Sequence, residues 1–326
     1  MKLKKLICLF LAGIALTGCF GNQKLPMTFS DNFSYKNQIV QYLPADYVML
    51  DEEAFTANLC IVEKDYKEEK NNALTAVSTL IFDITKQEVL YANNVYEKLY
   101  PASVTKILTV LVALEQCDDL SEIVTVSYNA SHITESGAKK CGFQEGDKVA
   151  MKDLLYSFLV YSGNDAGIAI AEHISGTEEK FSKLMNEKAM ELGANHSHFV
   201  NAHGLHSDEH YTTAYDMYLI FNKCIKNQTF VDMINTVRYT TNYESAFGEK
   251  RQKTFENTNR YLLGIEKAPE DITVVGGKTG TTQKAGSCLV LYSKDNKQHQ
   301  YISIVFKAQN SNDLFQQMTT LLKYAD

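Results

Sequence analysis

Hydrophobic and polar positions follow a strand period near both ends of the chain and a helical period between them. Residues 77–83 and 89–91 carry the β-branched pattern of a hairpin, separated by a short polar turn. Residues 272–275, 287–292 and 301–307 repeat the strand pattern, and their alternation is clearest in the last of the three. Residues 107–114 are almost wholly apolar, which marks a helix running through a domain interior rather than across its surface. Two more apolar helical segments, 154–160 and 166–174, are broken by Tyr161-Ser162-Gly163-Asn164. Residues 178–192 read as an amphipathic helix stopped at Gly193, 218–237 as one helix, and 312–324 as a closing amphipathic helix. A candidate edge strand lies at 59–62, a histidine-rich loop at 201–216 and a turn-prone polar stretch at 242–253. Strands from both chain ends with helices between them predict one antiparallel sheet enclosing a helical insert, an α/β (α+β) class.

The first residues break from that pattern. Lys2, Lys4 and Lys5 precede an apolar run at 6–16, which has the length and flanks of a signal segment and is too short to span a bilayer. Leu16-Thr17-Gly18-Cys19 resembles a bacterial lipobox, so Cys19 is the expected lipid-bearing residue and the chain an exported one, tethered to the outer face of the cell membrane. The organisation expected is a signal at 1–18, a lipid-attached tether at 19–58 and a folded domain at 59–326.

Net charge over the 326 residues is −7, and removing the three signal lysines takes it to −10. Arg238, Arg251 and Arg260 are the only arginines, so no basic footprint for nucleic acid exists. Besides Cys19, the mature part holds Cys60, Cys117, Cys141, Cys224 and Cys288, too scattered for a disulfide framework.

Three short motifs carry candidate chemistry. In Tyr100-Pro101-Ala102-Ser103-Val104-Thr105-Lys106, Pro101 and Ser103 read as a helix start, and a spacing of three puts Lys106 on the face of Ser103. A serine becomes a competent nucleophile when a nearby base takes its proton, and an amine of depressed pKa is such a base. The helix N-terminus adds N–H groups where an oxyanion would form. Ser136-Gly137-Ala138-Lys139 repeats the Ser-x-x-Lys spacing in a polar stretch and reads as a solvated loop. The second motif is Ser162-Gly163-Asn164, in the break between apolar helices. Similar tripeptides at Ser30-Asp31-Asn32 and Ser127-Tyr128-Asn129 show how readily the pattern arises by chance. The third, Lys278-Thr279-Gly280, follows Gly276-Gly277 at the end of a strand, where a cation and a hydroxyl could hold a carboxylate.

Ser-x-x-Lys, Ser-x-Asn and Lys-Thr-Gly in this order, each in its strand or helix context, form the signature of class A β-lactamases and penicillin-binding proteins. From about residue 75 to 308 the sequence resembles the D-alanyl-D-alanine carboxypeptidase family of low-molecular-mass penicillin-binding proteins. The resemblance includes Ser-Gly-Asn-Asp-Ala, Met185-Asn186, Asn201 with Gly204-Leu205, Asn257-Thr258-Asn259 and Gly-Gly-Lys-Thr-Gly-Thr-Thr. Gln87 and Ala202 depart from its usual glycine and proline. The resemblance implies a β-lactamase/transpeptidase-like fold and removal of the terminal D-alanine from peptidoglycan pentapeptide stems, with β-lactams as covalent inhibitors. It implies Ser103 as nucleophile, Lys106 as its base and Ser162 as a proton relay. Asn164 would bind the substrate's peptide group, and Lys278, Thr279 and Gly280 its carboxylate. An oxyanion hole would form at the N–H groups of Ser103 and Thr281, and neither metal nor organic cofactor is required. A D,D-endopeptidase, a β-lactamase and a penicillin-binding sensor without turnover share these motifs. The rival cluster His203, His206 and His210, with Asp208 and Glu209, is rich in zinc-ligand types but lacks a zinc-site spacing.

Overall fold

A computed structural model of the chain describes residues 59–62 and 71–325. The signal, the lipobox and the whole of the tether expected from the sequence lie outside the described residues.

The two ends of the domain meet in one antiparallel sheet. Strand β1 (Ser78–Asp83) pairs with β2 (Glu88–Asn93) on one side and with β9 (Gln300–Ala308) on the other, with Leu80 opposite Ile304. Strands β8 (Gly286–Asp295) and β7 (Ile272–Thr282) complete the order β2-β1-β9-β8-β7. Side chains alternate across this sheet, as a period of two requires. Leu80, Phe82, Ile302, Ile304 and Phe306 enter the larger core, while Ile81, Tyr301 and Val305 enter a smaller one. The smaller core is closed by helix α8 (Ser311–Leu322), through Leu314, Phe315, Met318, Leu321 and Leu322.

The larger core is built around α1 (Lys106–Gln116), whose residues 106–113 are all buried. The expected central helix is present, but Ala102–Thr105 forms a tighter 3₁₀ turn ahead of it. That turn still stacks residues three apart, so the face shared by Ser103 and Lys106 survives. After α1 come a short strand β3 (Ile123–Thr125), the single-turn α2 (Tyr128–Ser131) and strand β4 (Lys148–Ala150). Helices α3 (Met151–Val160) and α4 (Asn164–Ser175) then flank the polar break, and α5 (Glu178–Glu191) follows.

Several expectations need correction. Residues 218–237 are not one helix: α6 (Ala214–Cys224) and α7 (Gln228–Asn235) are separated, and Asn227 caps the second by accepting from the N–H of Phe230. The polar stretch at 242–253 is a hairpin, β5 (Arg238–Glu244) and β6 (Lys250–Glu256), in a second sheet of order β3-β4-β5-β6. Its strands carry few apolar residues because a single face, with Thr241, Tyr243 and Phe255, is buried. The outer face is held by Arg238–Glu256 and a Thr240–Thr254 hydroxyl pair at 2.9 Å. Residues 59–62 form no strand. Cys60 is instead fixed between tyrosines, its N–H donating to Tyr218 Oη at 2.8 Å and its carbonyl accepting from Tyr215 at 3.1 Å. Strand β7 extends through Lys278-Thr279-Gly280 rather than ending before it. Gly277 lets it lie close to β8, since a Cβ there would come within 2.2 Å of the Val290 carbonyl. All five cysteines among the described residues are free thiols.

Candidate active site

The three motifs converge where the 3₁₀ turn, the α3–α4 break and β7 meet. Gly280 makes the meeting possible. A Cβ on it would stand 2.9 Å from the backbone nitrogens of Ser103 and Val104 and from the Pro101 carbonyl, so β7 crosses the turn backbone to backbone. Exposed Thr281 follows directly, which brings its strand segment beside the start of the turn, where N–H groups lack helical partners.

Lys106 is the centre of this arrangement and is fully buried. Its Nζ lies 3.1 Å from Ser103 Oγ, 2.7 Å from Asn164 Oδ1 and 2.5 Å from the carbonyl oxygen of His203. Burial pushes its pKa well below the ordinary lysine range, and the nearby charges of Lys278 and Lys139 push it the same way. A neutral amine has two N–H bonds and one lone pair. Both carbonyl oxygens can only accept, so they take the two N–H bonds. The lone pair is left facing the Ser103 hydroxyl, which is the orientation a general base needs.

The acceptors are themselves fixed. Asn164 opens α4, and its N–H donates to the Lys139 carbonyl at 2.7 Å. Asp165, buried next to it, accepts from the N–H groups of Cys141 and Gly142, both at 2.7 Å, and from Phe143 at 3.2 Å. A carboxylate at this helix N-terminus thus fastens residues 139–143 to the Ser162-Gly163-Asn164 turn. Ser162 is buried there with left-handed backbone, φ 73°, an uncommon state for a non-glycine residue and one that tertiary contacts must hold.

On the other side, His203 is held through its ring. Its Nδ1 accepts from the N–H of Leu205 at 3.1 Å, and its Nε2 faces Glu178 Oε1 at 3.1 Å. Burial alone would raise the Glu178 pKa, but hydrogen bonds from His203 and from the Ala202 N–H bring it below the usual range. His210 works on the serine turn: its Nδ1 accepts from Val200 N–H at 3.1 Å, so Nε2 carries the proton toward Thr105 Oγ1 at 2.8 Å. Thr105 in turn donates to the Ala102 carbonyl at 2.8 Å, bracing a residue with φ 48°. Burial, then neighbouring cationic groups, lowers the His210 pKa to about 3 and keeps it neutral. His206 faces a third partner, Asp208, at 3.3 Å. The histidines considered as zinc ligands therefore face three different partners.

Lys278 lies on β7, 1% exposed, donating to the carbonyl of Thr279 at 2.8 Å. Burial and the charge of Lys139 lower its pKa to about 7. Thr279 shares a 2.6 Å hydroxyl contact with Thr258 of the Asn-Thr-Asn stretch. The sequence-predicted residues Ser103, Lys106, Ser162, Asn164, Lys278, Thr279, Gly280 and Thr281 thus share one locale. Cys19 lies outside the described residues.

Sequence reasoning missed four contributors: Asp165, Glu178, the His203 carbonyl and Lys139. Asp165 had a readable signal, an acidic residue in the first turn of a helix directly after the motif. The other three depend on chain segments brought together only by folding.

A family profile described as D-alanyl-D-alanine carboxypeptidase, peptidase S11, matches residues 64–310. The chain belongs to this family. Among curated members it is 34% identical over 272 residues to the D-alanyl-D-alanine carboxypeptidase DacF of Bacillus subtilis, covering 81% of this chain and 65% of that one. To DacC of Escherichia coli it is 32% identical, covering 77% and 61%. The chain thus spans less than two thirds of the length of these relatives. Among solved structures, a Streptomyces K15 DD-transpeptidase aligns with a TM-score of 0.71 at 27% identity, over 77% of this chain and 97% of that one. The D-alanyl-D-alanine carboxypeptidase DacD of Francisella tularensis aligns with a TM-score of 0.68 at 26% identity, over 82% and 72%. The expected penicillin-binding fold is therefore the fold observed.

A pKa lowered from the free-lysine range to about 7 means that folding takes up a cost below pH 7 that fades as pH rises toward about 10.4. Lys278→Met should therefore be more stable than the parent at pH 6, by a margin that shrinks at pH 9. Urea midpoints at the two pH values measure this, and a margin independent of pH would contradict the shifted lysine.

Proposed function

We propose that this chain is a serine D-Ala-D-Ala carboxypeptidase that removes the terminal D-alanine from peptidoglycan pentapeptide stems through an acyl-enzyme. The observation that carries the reading is the position of buried Lys106 Nζ, 3.1 Å from Ser103 Oγ and held by two carbonyl oxygens that would turn a neutral amine's lone pair toward the hydroxyl. In this mechanism Ser103 Oγ attacks the carbonyl carbon between the two D-alanines while Lys106 Nζ takes the hydroxyl proton. The oxyanion gathers at the N–H groups of Ser103 and Thr281. As the C–N bond breaks, a proton passed through Ser162 reaches the departing amine, and D-alanine leaves. Water then cleaves the Ser103 ester and returns the site to its starting state.

Recognition follows from the same geometry. Asn164 binds the substrate's peptide group, and protonated Lys278 with Thr279 holds the C-terminal carboxylate alongside β7. A β-lactam presents a similar acyl group and carboxylate, and its leaving nitrogen stays attached, so it should remain as an adduct. The test uses residues 20–326 with a peptide ending in D-Ala-D-Ala and, separately, with benzylpenicillin. Free D-alanine should be released, and mass spectrometry should place the penicilloyl group on Ser103. Absence of both, or an adduct on Ser136, would overturn the assignment; an adduct without peptide turnover would favour a sensor.

We further propose that residues 1–18 direct export and that Cys19 carries a lipid holding the enzyme at the outer face of the cell membrane. The basic start, the apolar run and Leu-Thr-Gly-Cys support this reading. Cys19→Ser should move the protein from the membrane fraction to the soluble one. Unchanged partitioning would refute lipidation as the anchor.

A further inference from the structure

The mechanism uses two of the three lysines gathered at this site. The third, Lys139, belongs to the stretch that the sequence presents as a second Ser-x-x-Lys in a solvated loop. In the fold it is a wall of the site. Its carbonyl accepts the N–H of Asn164 at 2.7 Å, and the next residues are clamped by Asp165, so its backbone is fixed to the Ser162–Asn164 turn. Its ammonium stands 3.8 Å from the centroid of the Tyr161 ring, the residue just before Ser162. The side chain is exposed to solvent, and among the described residues no carboxylate pairs with it.

Solvent and the Tyr161 ring, and no carboxylate among the described residues, balance this charge. Surrounding protein depresses the Lys139 pKa, and its charge is felt at both Lys278 and Lys106. A lysine serving only solubility gains nothing from being placed where it opposes two other lysines. The main chain that carries it is bonded to Asn164, the residue proposed to bind the substrate's own peptide group, so the ammonium belongs to the Ser162–Asn164 side of the site.

We propose that Lys139 is a specificity residue that binds a second carboxylate on the acyl-donor peptide, one upstream of the scissile D-Ala-D-Ala bond. This inference rests on the carboxypeptidase reading. It makes the site selective for donor strands that carry a free acid beside the dipeptide over those in which that acid is an amide. Tyr161 holds the ammonium by its ring face, an arrangement that leaves N–H bonds free for an incoming carboxylate.

The test compares two substrates, N-acetyl-L-Glu-D-Ala-D-Ala and N-acetyl-L-Gln-D-Ala-D-Ala, which differ only in a carboxylate against a carboxamide. The parent enzyme should favour the glutamate peptide about two- to fivefold in kcat/KM, through KM, as expected of one charge-assisted pair near solvent. Lys139→Met should bring that ratio to about one, and Lys139→Arg should retain a preference. Both peptides meet the same Lys106 and Lys278, so the ratio is insensitive to any change in their protonation. Hydrolysis of both peptides without preference by the parent, or a preference that survives in Lys139→Met, would overturn the role of Lys139 while leaving the carboxypeptidase reading intact. Hydrolysis of neither peptide by the parent would overturn both.

Discussion

The site depends on keeping one lysine neutral inside a protein. An ammonium at Lys106 would face burial and two other lysines, a cost that the charge of Asp165, which does not touch it, offsets only in part. The fold instead supplies two carbonyl oxygens and a serine hydroxyl, a set that suits an amine. Each carbonyl is held from behind: Asn164 by the main chain of Lys139, and His203 by Glu178 and Leu205. Most of the polar network around the site can be traced to that single requirement.

The same low-dielectric pocket creates a tension. In the proposed function Lys278 must be cationic to hold a carboxylate, yet burial draws its pKa down to about 7. Two buried lysines in one cleft titrate as a pair, and the first proton to arrive strongly disfavours the second. The arrangement therefore separates the roles. Lys106, closed in by two carbonyls and the serine hydroxyl, stays neutral, and in the proposed function Lys278, as the carboxylate anchor, takes the charge. A bound carboxylate would favour that charge further, which couples recognition of the substrate to the protonation the chemistry needs.

Much of this was legible in the sequence, for identifiable reasons. Strands at both ends could be read from dense apolar and β-branched runs because the sheet is covered on both faces, by the helical core and by α8. Helix α1 could be read from its continuous apolar run because no side of its first two turns meets water. The hairpin β5–β6 was read as a turn because its outer face is polar and its pairing rests on cross-strand contacts, which local composition does not reveal. The site residues followed from three motifs and their order. Lys139 reads as part of a solvated loop because its local sequence is polar; its placement arises from Asp165, 26 residues further along, pinning that loop against the Ser162 turn. The roles of Glu178 and of the His203 main chain leave no local signal for the same reason, since one holds the His203 ring and the other supplies an aimed carbonyl, and neither is a motif.

The central claim is that Lys106 is neutral while Lys278 is charged when the free enzyme meets its substrate. The pH dependence of kcat/KM for acylation by benzylpenicillin reports on that state directly. The account predicts a bell, falling in acid as Lys106 gains a proton and falling above about pH 7 as Lys278 loses its own. A rate that kept climbing tenfold per pH unit from 8 to about 10 would mean an ordinary lysine titrating near 10.4, and would contradict it.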